Sequence, residues 1–414
     1  MTTYHIWTIG CQMNKAESER LAARFEELGY TAARQISEAD LIVLNSCVVR
    51  RSAEDRVVNK LHDLKHLKKE RPSTILALTG CMVETDTAVL RKRFPFVDYF
   101  FKPGDQPPWL EKPPSLPLPP KPHPSSYVTI SQGCDNFCSY CIVPYRRGRE
   151  RSRPMAEIIG EVRELVRRGA KEIVLLGQNV DSYGHDLPGK PDLADLLTKL
   201  NGIEGLARLR FLTNHPKDMS RKLIEAIPGL DKVCQQISLP VQSGSDAILK
   251  AMRRGYTAAQ YLELVGLVRE KMPGAAVSTD VIVGFPGETE ERFQETLNLL
   301  SRVNFDTVHV AAYSTREKTL ASREYEDDVT PTVKKGRLNQ VERLQEQVQG
   351  AINARLLGKT AEVLVEGRQK GKWYGRTRTD KLVFFSSAAD LTGQTVTVRI
   401  EKTSPWSLQG KVIV

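Results

Sequence analysis

The stretch Gly133-Cys-Asp-Asn-Phe-Cys-Ser-Tyr-Cys-Ile142 sets three cysteines, Cys134, Cys138 and Cys141, in a CxxxCxxC spacing. Such a loop turns three thiolates toward one point and supplies no fourth. Structural zinc takes four closed ligands, whereas a 4Fe-4S cubane held by three thiolates keeps one iron open to a small molecule. The competing reading is a zinc knuckle lacking one ligand. Against it, the nearby His123 lies in a proline-rich stretch with no second partner at finger spacing. Tyr140, just before the last cysteine, is an aromatic placed either to flank a bound adenine or to pack.

Outward from this loop, apolar runs alternate with helical patterns. Strands are expected over 127–131, 172–177, 208–213, 233–239, 277–285 and 306–313, with helices such as Met155 to Arg168 and Thr289 to Arg302 between them. Six β/α units predict a partial barrel whose active face lies at the strand carboxyl ends. The cysteine loop follows the first of these strands, which puts it at that face.

The N-terminal third shows the same alternation on a smaller scale: HIWTIG, a helix from Glu17 to Leu28, LIVLN, a helix from Ala53 to Leu67, TILALTG, and a helix from Thr87 to Arg93. This order predicts a parallel sheet. Cys11, Cys47 and Cys81 each follow one of its strands, and carboxyl ends of such strands line a shared crevice, so the three are expected to converge. A helix N-terminus after Cys47 would favour an anionic group there. The alternative is three buried core thiols. Cys234, flanked by Val233 and Gln235, reads as an inert thiol.

Between Pro103 and Pro124 ten positions are proline, which predicts an extended tether dividing two domains. After Leu356 five short glycine-punctuated strands predict a small all-β barrel of oligonucleotide-binding type. The chain is thus an α/β multidomain protein, divided as 1–118, 120–354 and 355–414. Its 60 Lys and Arg exceed 50 Asp and Glu by ten. Segment 355–414 holds eleven of the former against five of the latter, so over half the excess sits in the small barrel. That charge, with Trp373, Tyr374, Phe384, Phe385, Trp406 and Arg376, predicts an RNA surface, although Phe384 and Phe385 alternate faces on a strand and one of them is expected in the core. Five arginines in Tyr145-Arg-Arg-Gly-Arg-Glu-Arg-Ser-Arg153 flank the cysteine loop, and Arg147 and Arg149 are assigned to phosphate contacts. No apolar run approaches a membrane span and no signal layout opens the chain, so a cytoplasmic protein without membrane contact is expected.

The CxxxCxxC loop with Tyr140 resembles the radical S-adenosylmethionine (SAM) enzymes. Joined to the cysteine-bearing N-terminal domain and a C-terminal TRAM barrel, the whole chain is similar to the methylthiotransferases. Gly10-Cys-Gln-Met-Asn14, Ala16-Glu-Ser-Glu19, Asn45-Ser-Cys-Val-Val-Arg50, LPVQSGS at 239–245, TDVIVGFPGET at 279–289 and Gly375-Arg-Thr-Arg-Thr-Asp380 look most like the bacterial MiaB type. Ser46, where Thr is commoner, and Asn214, in place of Ser, depart from the pattern and bear on subtype alone.

The resemblance implies two 4Fe-4S clusters, one on Cys134, Cys138 and Cys141 that cleaves SAM to a 5′-deoxyadenosyl radical, and an auxiliary one on Cys11, Cys47 and Cys81 that carries sulfur. It implies methylthiolation of carbon 2 of N6-dimethylallyladenosine at position 37, in the tRNA anticodon loop, by a monomer served by an electron donor protein and a sulfur source. It also implies that Gln178 and Asn179 grip SAM, that Gly284 and Glu288 line its adenine side, and that His215 and Gln242 lie near substrate. Alternatives are a methylthiotransferase acting on threonylcarbamoyl-adenosine or on a ribosomal protein side chain, and a non-catalytic metal-binding RNA protein.

Overall fold

The computed structural model describes residues 2–49, 51–83, 86–110 and 117–413. Arg50 and part of the proline tether, 111–116, lie outside the described residues. The chain divides into two compact units, one of Met1–Lys121, Gln132–Asp135 and Cys141–Glu150, the other of Pro122–Ser131, Asn136–Tyr140 and Arg151–Val414.

In the first unit β1 (Thr3–Thr8), α1 (Gln12–Glu27), β2 (Thr31–Ala32), β3 (Leu41–Ser46), α2 (Arg51–Glu70), β4 (Ile75–Gly80), α3 (Ala88–Arg93) and β5 (Tyr99–Phe100) follow in order. The strands form one parallel sheet, β2-β1-β3-β4-β5. Both faces are covered, as parallel sheets require. Ile42, Leu44, Leu76 and Leu78 pack with Val57, Leu61 and Leu64 of α2. Leu41, Val43 and Ala77 pack on the opposite side with Phe25 of α1. The tether is not loose where it begins: the Trp109 ring lies 4.6 Å from Tyr99 and 5.9 Å from Phe101. Helix α4 (Val143–Arg147), just after the cysteine loop, also belongs to this unit.

The second unit contains β6 (Ser125–Thr129), β9 (Glu172–Leu176), β10 (Arg208–Phe211), β11 (Gln236–Ser238), β12 (Ala276–Val283) and β13 (Thr307–Ala312). Along the chain, the two-residue strands β7 (Ser131–Gln132) and β8 (Arg151–Ser152) precede and follow the cysteine loop. Helices α5 (Met155–Arg167), α6 (Leu193–Asn201), α7 (Arg221–Ala226), α8 (Asp246–Ala251), α9 (Ala258–Lys271) and α10 (Glu290–Val303) occupy the connections, followed by α11 (Leu320–Glu324) and α12 (Pro331–Ala354). Thr330 caps α12 by accepting from Val333 N, and Pro331 stands in its first turn, where no backbone donor is needed. The six expected strands form two parallel sheets, β10-β9-β6 and β11-β12-β13, joined by one bridge between Leu209 and Val233. The strand expected over 233–239 is shortened because Gln236 N turns back to Cys234 O at 2.8 Å.

Strands β14 (Thr360–Gln369), β15 (Lys372–Thr377), β16 (Leu382–Ser386), β17 (Thr395–Thr403) and β18 (Leu408–Ile413) close the C-terminal barrel, antiparallel except for β16 beside β18. Two buried arginines from β10 fasten it. Arg208 donates to Arg376 O at 2.7 Å and Glu362 Oε1 at 2.8 Å. Arg210 donates to Thr377 O at 2.5 Å, Arg378 O at 3.0 Å and Glu172 Oε2 at 2.9 Å.

Candidate active site

Cys11, Cys47 and Cys81 lie just past the carboxyl ends of three adjacent strands, β1, β3 and β4. The register continues into the loops: Ile9 N donates to Asn45 O at 3.0 Å and Cys81 N to Ser46 O at 2.8 Å. A Cβ built on Gly10 (φ +134°) would stand 2.8 Å from Cys47 Cβ, so only glycine admits this approach of the first loop to the second. A buried amide network fixes both. Asn14 Nδ2 donates to Asn45 Oδ1 at 2.8 Å and Ser46 O at 2.9 Å, Asn45 Nδ2 to Asn14 O at 2.8 Å, and Cys11 Sγ to Asn14 Oδ1 at 3.2 Å. The sequence runs Gly10–Asn14 and Asn45–Cys47 are therefore one hydrogen-bonded structure.

The thiols are not themselves closed on a point, since no group of three His, Cys, Asp or Glu side chains stands at metal-holding distance among the described residues. What brings the set together is the sheet edge, and three sulfur donors on it fit an iron–sulfur cluster. The helix expected after Cys47 is α2, which starts at Arg51, and Cys11 is itself the N-cap of α1.

Arg147 is where the sequence reading needs correcting. Its side chain, assigned to RNA, is 4% exposed and paired with Glu17 Oε1 at 2.7 Å. Its Nε donates to Cys81 Sγ at 3.2 Å. A guanidinium so enclosed cannot reach a phosphate. Burial pushes the Cys81 thiol up to about 11, with the Arg147 charge opposing. Around it, Ile142 joins the apolar core that includes Cys81 and Met82. Gly133 (φ +80°) must lack a side chain, because a Cβ would stand 2.1 Å from Arg149 O. Cys134 N donates to Gly148 O at 3.3 Å, which closes the arginine turn onto the first cysteine.

In the second unit, Cys138 is buried and receives Arg254 Nη1 at 3.3 Å, while His215 Nε2 stands 3.9 Å from the same sulfur. Arg254 also reaches Tyr140 Oη at 3.4 Å. Asp218 gathers the loops, accepting from Asn136 Nδ2 at 3.0 Å, Asn179 Nδ2 at 2.7 Å and Lys217 Nζ at 2.5 Å. Asn136 lies inside the cysteine loop, so the cysteine and Gly-Gln-Asn loops are pinned to one carboxylate. Asp181 accepts from His215 N at 2.8 Å and Asn214 Nδ2 at 2.6 Å, and burial raises its carboxyl to about 7. The Oδ1 of Asn179 and Oε1 of Gln242 are buried without a hydrogen-bond partner. Orphaned acceptors of this kind fit the ammonium and donor groups of an amino-acid-bearing cofactor. Gln178 is half-buried in the same loop. The sequence reading missed Arg254, Asp181 and Asp218; the Met252-Arg-Arg-Gly-Tyr256 turn and the Asp after His215-Pro-Lys were the available signals.

Three family models match: the radical SAM superfamily over residues 128–300, Uncharacterized protein family UPF0004 over 3–102, and the TRAM domain over 354–413. The tRNA-2-methylthio-N(6)-dimethylallyladenosine synthase of Dehalococcoides mccartyi strain CBDB1 is 57% identical over 413 residues, covering 100% of this chain and 99% of the relative. The chain belongs to this synthase family. A synthase of the same name from Chloroflexus aurantiacus is 50% identical over 98% of this chain and 91% of its own. In fold, the chain is similar to the radical S-adenosylmethionine methyltransferase TsrM of Kitasatospora setae, solved with cobalamin and a 4Fe-4S cluster, at a TM-score of 0.53 and 13% identity over 78% of this chain and 77% of that one.

Other expected residues of this synthase-family chain fall differently. Glu288 is buried and committed to Gly284 N at 2.5 Å and Arg337 Nη1 at 3.0 Å, so it braces the Gly-Phe-Pro-Gly turn, with only its Oε1 unpartnered. Gln242 is held at φ +72° by Asp280 O and Ile282 N, a left-handed conformation kept by its neighbours. In the TRAM domain Trp373 is 6% exposed within the barrel core, its Nε1 donating to Ser387 O, so it is no stacking surface. Phe385 is core as well, whereas Trp406 is 59% exposed. Arg376 is half-exposed and bonded to Asp380 Oδ1 at 3.2 Å. Arg149 is 72% exposed beside Asp135. Cys234 is buried. No helix among the described residues is long and apolar enough to cross a membrane.

Proposed function

We propose that this chain methylthiolates carbon 2 of N6-dimethylallyladenosine at position 37 of tRNA, giving 2-methylthio-N6-dimethylallyladenosine. The observation that carries the reading is the end-to-end identity of 57% with synthases of that name. Two cysteine trios in one chain support it. Carbon 2 of adenine has no acidic proton, so acid–base groups cannot open that C–H bond. The bound clusters and SAM supply one-electron chemistry, sulfur and a methyl group.

The chain's own residues do the placing. Cys11, Cys47 and Cys81 hold the auxiliary cluster at the sheet edge, with Asn14 and Asn45 fixing the loops that carry them. Cys134, Cys138 and Cys141 hold the radical-generating cluster. Asn179 and Gln178 orient SAM, Asn179 through the carbonyl left over when Asp218 takes its amide. Tyr140 flanks the adenine, and Glu288 shapes the turn at Gly284. Arg149, Trp406 and Arg376 face the tRNA anticodon loop. An electron donor protein and a sulfur source complete the cycle, and we place the chain in the cytoplasm as a monomer.

Nucleoside mass spectrometry of tRNA from a deletion strain tests this. Loss of the methylthio group with the prenylated adenosine retained is expected. Unchanged tRNA nucleosides would refute it and redirect attention to a protein substrate.

A further inference from the structure

Arg254 is 3% exposed, and the contacts it makes are with Cys138 Sγ at 3.3 Å, Tyr140 Oη at 3.4 Å, Tyr256 Oη at 3.0 Å and Pro240 O at 2.8 Å. No carboxylate is among them, whereas three other guanidiniums buried to a similar depth in this unit each meet one: Arg208 meets Glu362, Arg210 meets Glu172 and Arg337 meets Glu288. A guanidinium cannot shed its proton, so an interior charge of this kind requires an anion. Three neutral acceptors, Tyr140 Oη, Tyr256 Oη and Pro240 O, do not supply it, and the remaining partner is the sulfur through which the negatively charged cluster would be held.

The second donor is defined by geometry. His215 Nδ1 accepts the Lys217 backbone N–H at 3.2 Å, which leaves the ring proton on Nε2, the atom 3.9 Å from Cys138 Sγ. Asp181 holds the His215 backbone at 2.8 Å and so fixes where that ring points. One cysteine of the triplet is thus faced by a fixed cation and a neutral N–H, both inside the protein.

We infer that Arg254 is the buried counter-ion of the cluster held through Cys138 and that, together with His215, it sets the reduction potential of that cluster. Hydrogen bonds and positive charge at a cluster sulfur stabilise the reduced, more negative state, so both residues make one-electron reduction easier. Arg254 and His215 act through Cys138 and are positioning residues. The inference rests on the reading of Cys134, Cys138 and Cys141 as cluster ligands.

The test is an EPR-monitored redox titration of the anaerobically reconstituted full chain, following the 4Fe-4S signal that changes when SAM is added. In Arg254→Met, which keeps the volume and removes the charge, the reduced-to-oxidised ratio at the wild-type midpoint should fall about tenfold, a shift of about 59 mV to more negative potential for a one-electron couple. Arg254→Lys should fall between the two, and His215→Leu should move in the same direction by less. A SAM-responsive signal with wild-type potential in Arg254→Met would overturn the inference. Where Arg254→Met takes up no iron at this site, Arg254→Lys and His215→Leu decide: negative shifts in both support it, and wild-type potentials in both overturn it. Absence of any SAM-responsive signal in the unaltered enzyme is a different failure, which removes the cluster reading and the inference with it.

Discussion

Arg147 Nε donates to Cys81 Sγ at 3.2 Å while its Nη1 stands 2.7 Å from Glu17 Oε1. Residues six positions beyond the last cysteine of the CxxxCxxC loop therefore return to the edge where the N-terminal cysteines lie. Cys134 and Cys141 belong to the same compact unit as Cys11, Cys47 and Cys81. An arginine run that reads as an RNA contact is in part an internal strut.

Arg147→Met should leave Glu17 buried with an uncompensated charge and cost about 3–5 kcal/mol of stability. Chemical denaturation of the apo-protein measures this, and the double variant with Glu17→Gln should recover most of the loss. A cost below about 1 kcal/mol would show that the pair is not buried as described.

Arg149 is the exposed member of the same run. Arg149→Ala should weaken tRNA binding and make the salt dependence of log K shallower by about 0.7–0.9, the share of one phosphate contact. Filter binding at several salt concentrations reads it. An unchanged slope removes Arg149 from the interface.

Asp181 gives a pH signature. Its folded-state carboxyl is raised to about 7 by burial, above the unfolded value. Between about pH 4 and 7 the folded state holds a proton that the unfolded state has released, so this contribution to stability is fully present below that window and is lost as pH rises through it. Asp181→Asn, which mimics the protonated carboxyl, should flatten the decline. Denaturation at pH 5, 6 and 7 compares the two, and parallel declines would contradict the assignment.

Much of this architecture is legible in residue patterns because buried parallel strands demand unbroken apolar runs. Leu41-Ile-Val-Leu44 and Ile173-Val-Leu-Leu176 are examples. The cysteine positions follow from those strands, since each thiol comes just after a strand end. Edge strands of two residues, such as Thr31–Ala32, carry no periodicity to detect. Burial of charge is equally silent in a single sequence: Arg147 and Arg149 stand two apart in one run, yet one is enclosed and the other open. Trp373 looked like a stacking surface because aromatic residues serve cores and surfaces alike. The alternation Arg208-Leu-Arg-Phe211 did mark a strand with one polar face, but not that the face is a socket for the TRAM barrel.

That socket is testable. Arg210 is buried against Glu172 and two TRAM carbonyls. Arg210→Met should cost about 3–5 kcal/mol and make the chain between α12 and β14 accessible to limited proteolysis. Wild-type resistance to cleavage there would mean that the barrel is held by other contacts.

The most direct measurement of the central claim is mass spectrometry of nucleosides from prenylated tRNA incubated anaerobically with the reconstituted chain, a reductant, a sulfide source and SAM. The account predicts 2-methylthio-N6-dimethylallyladenosine formed together with 5′-deoxyadenosine, and neither product from the Cys138→Ala enzyme. Recovery of N6-dimethylallyladenosine unchanged, by an enzyme that still cleaves SAM, would contradict it.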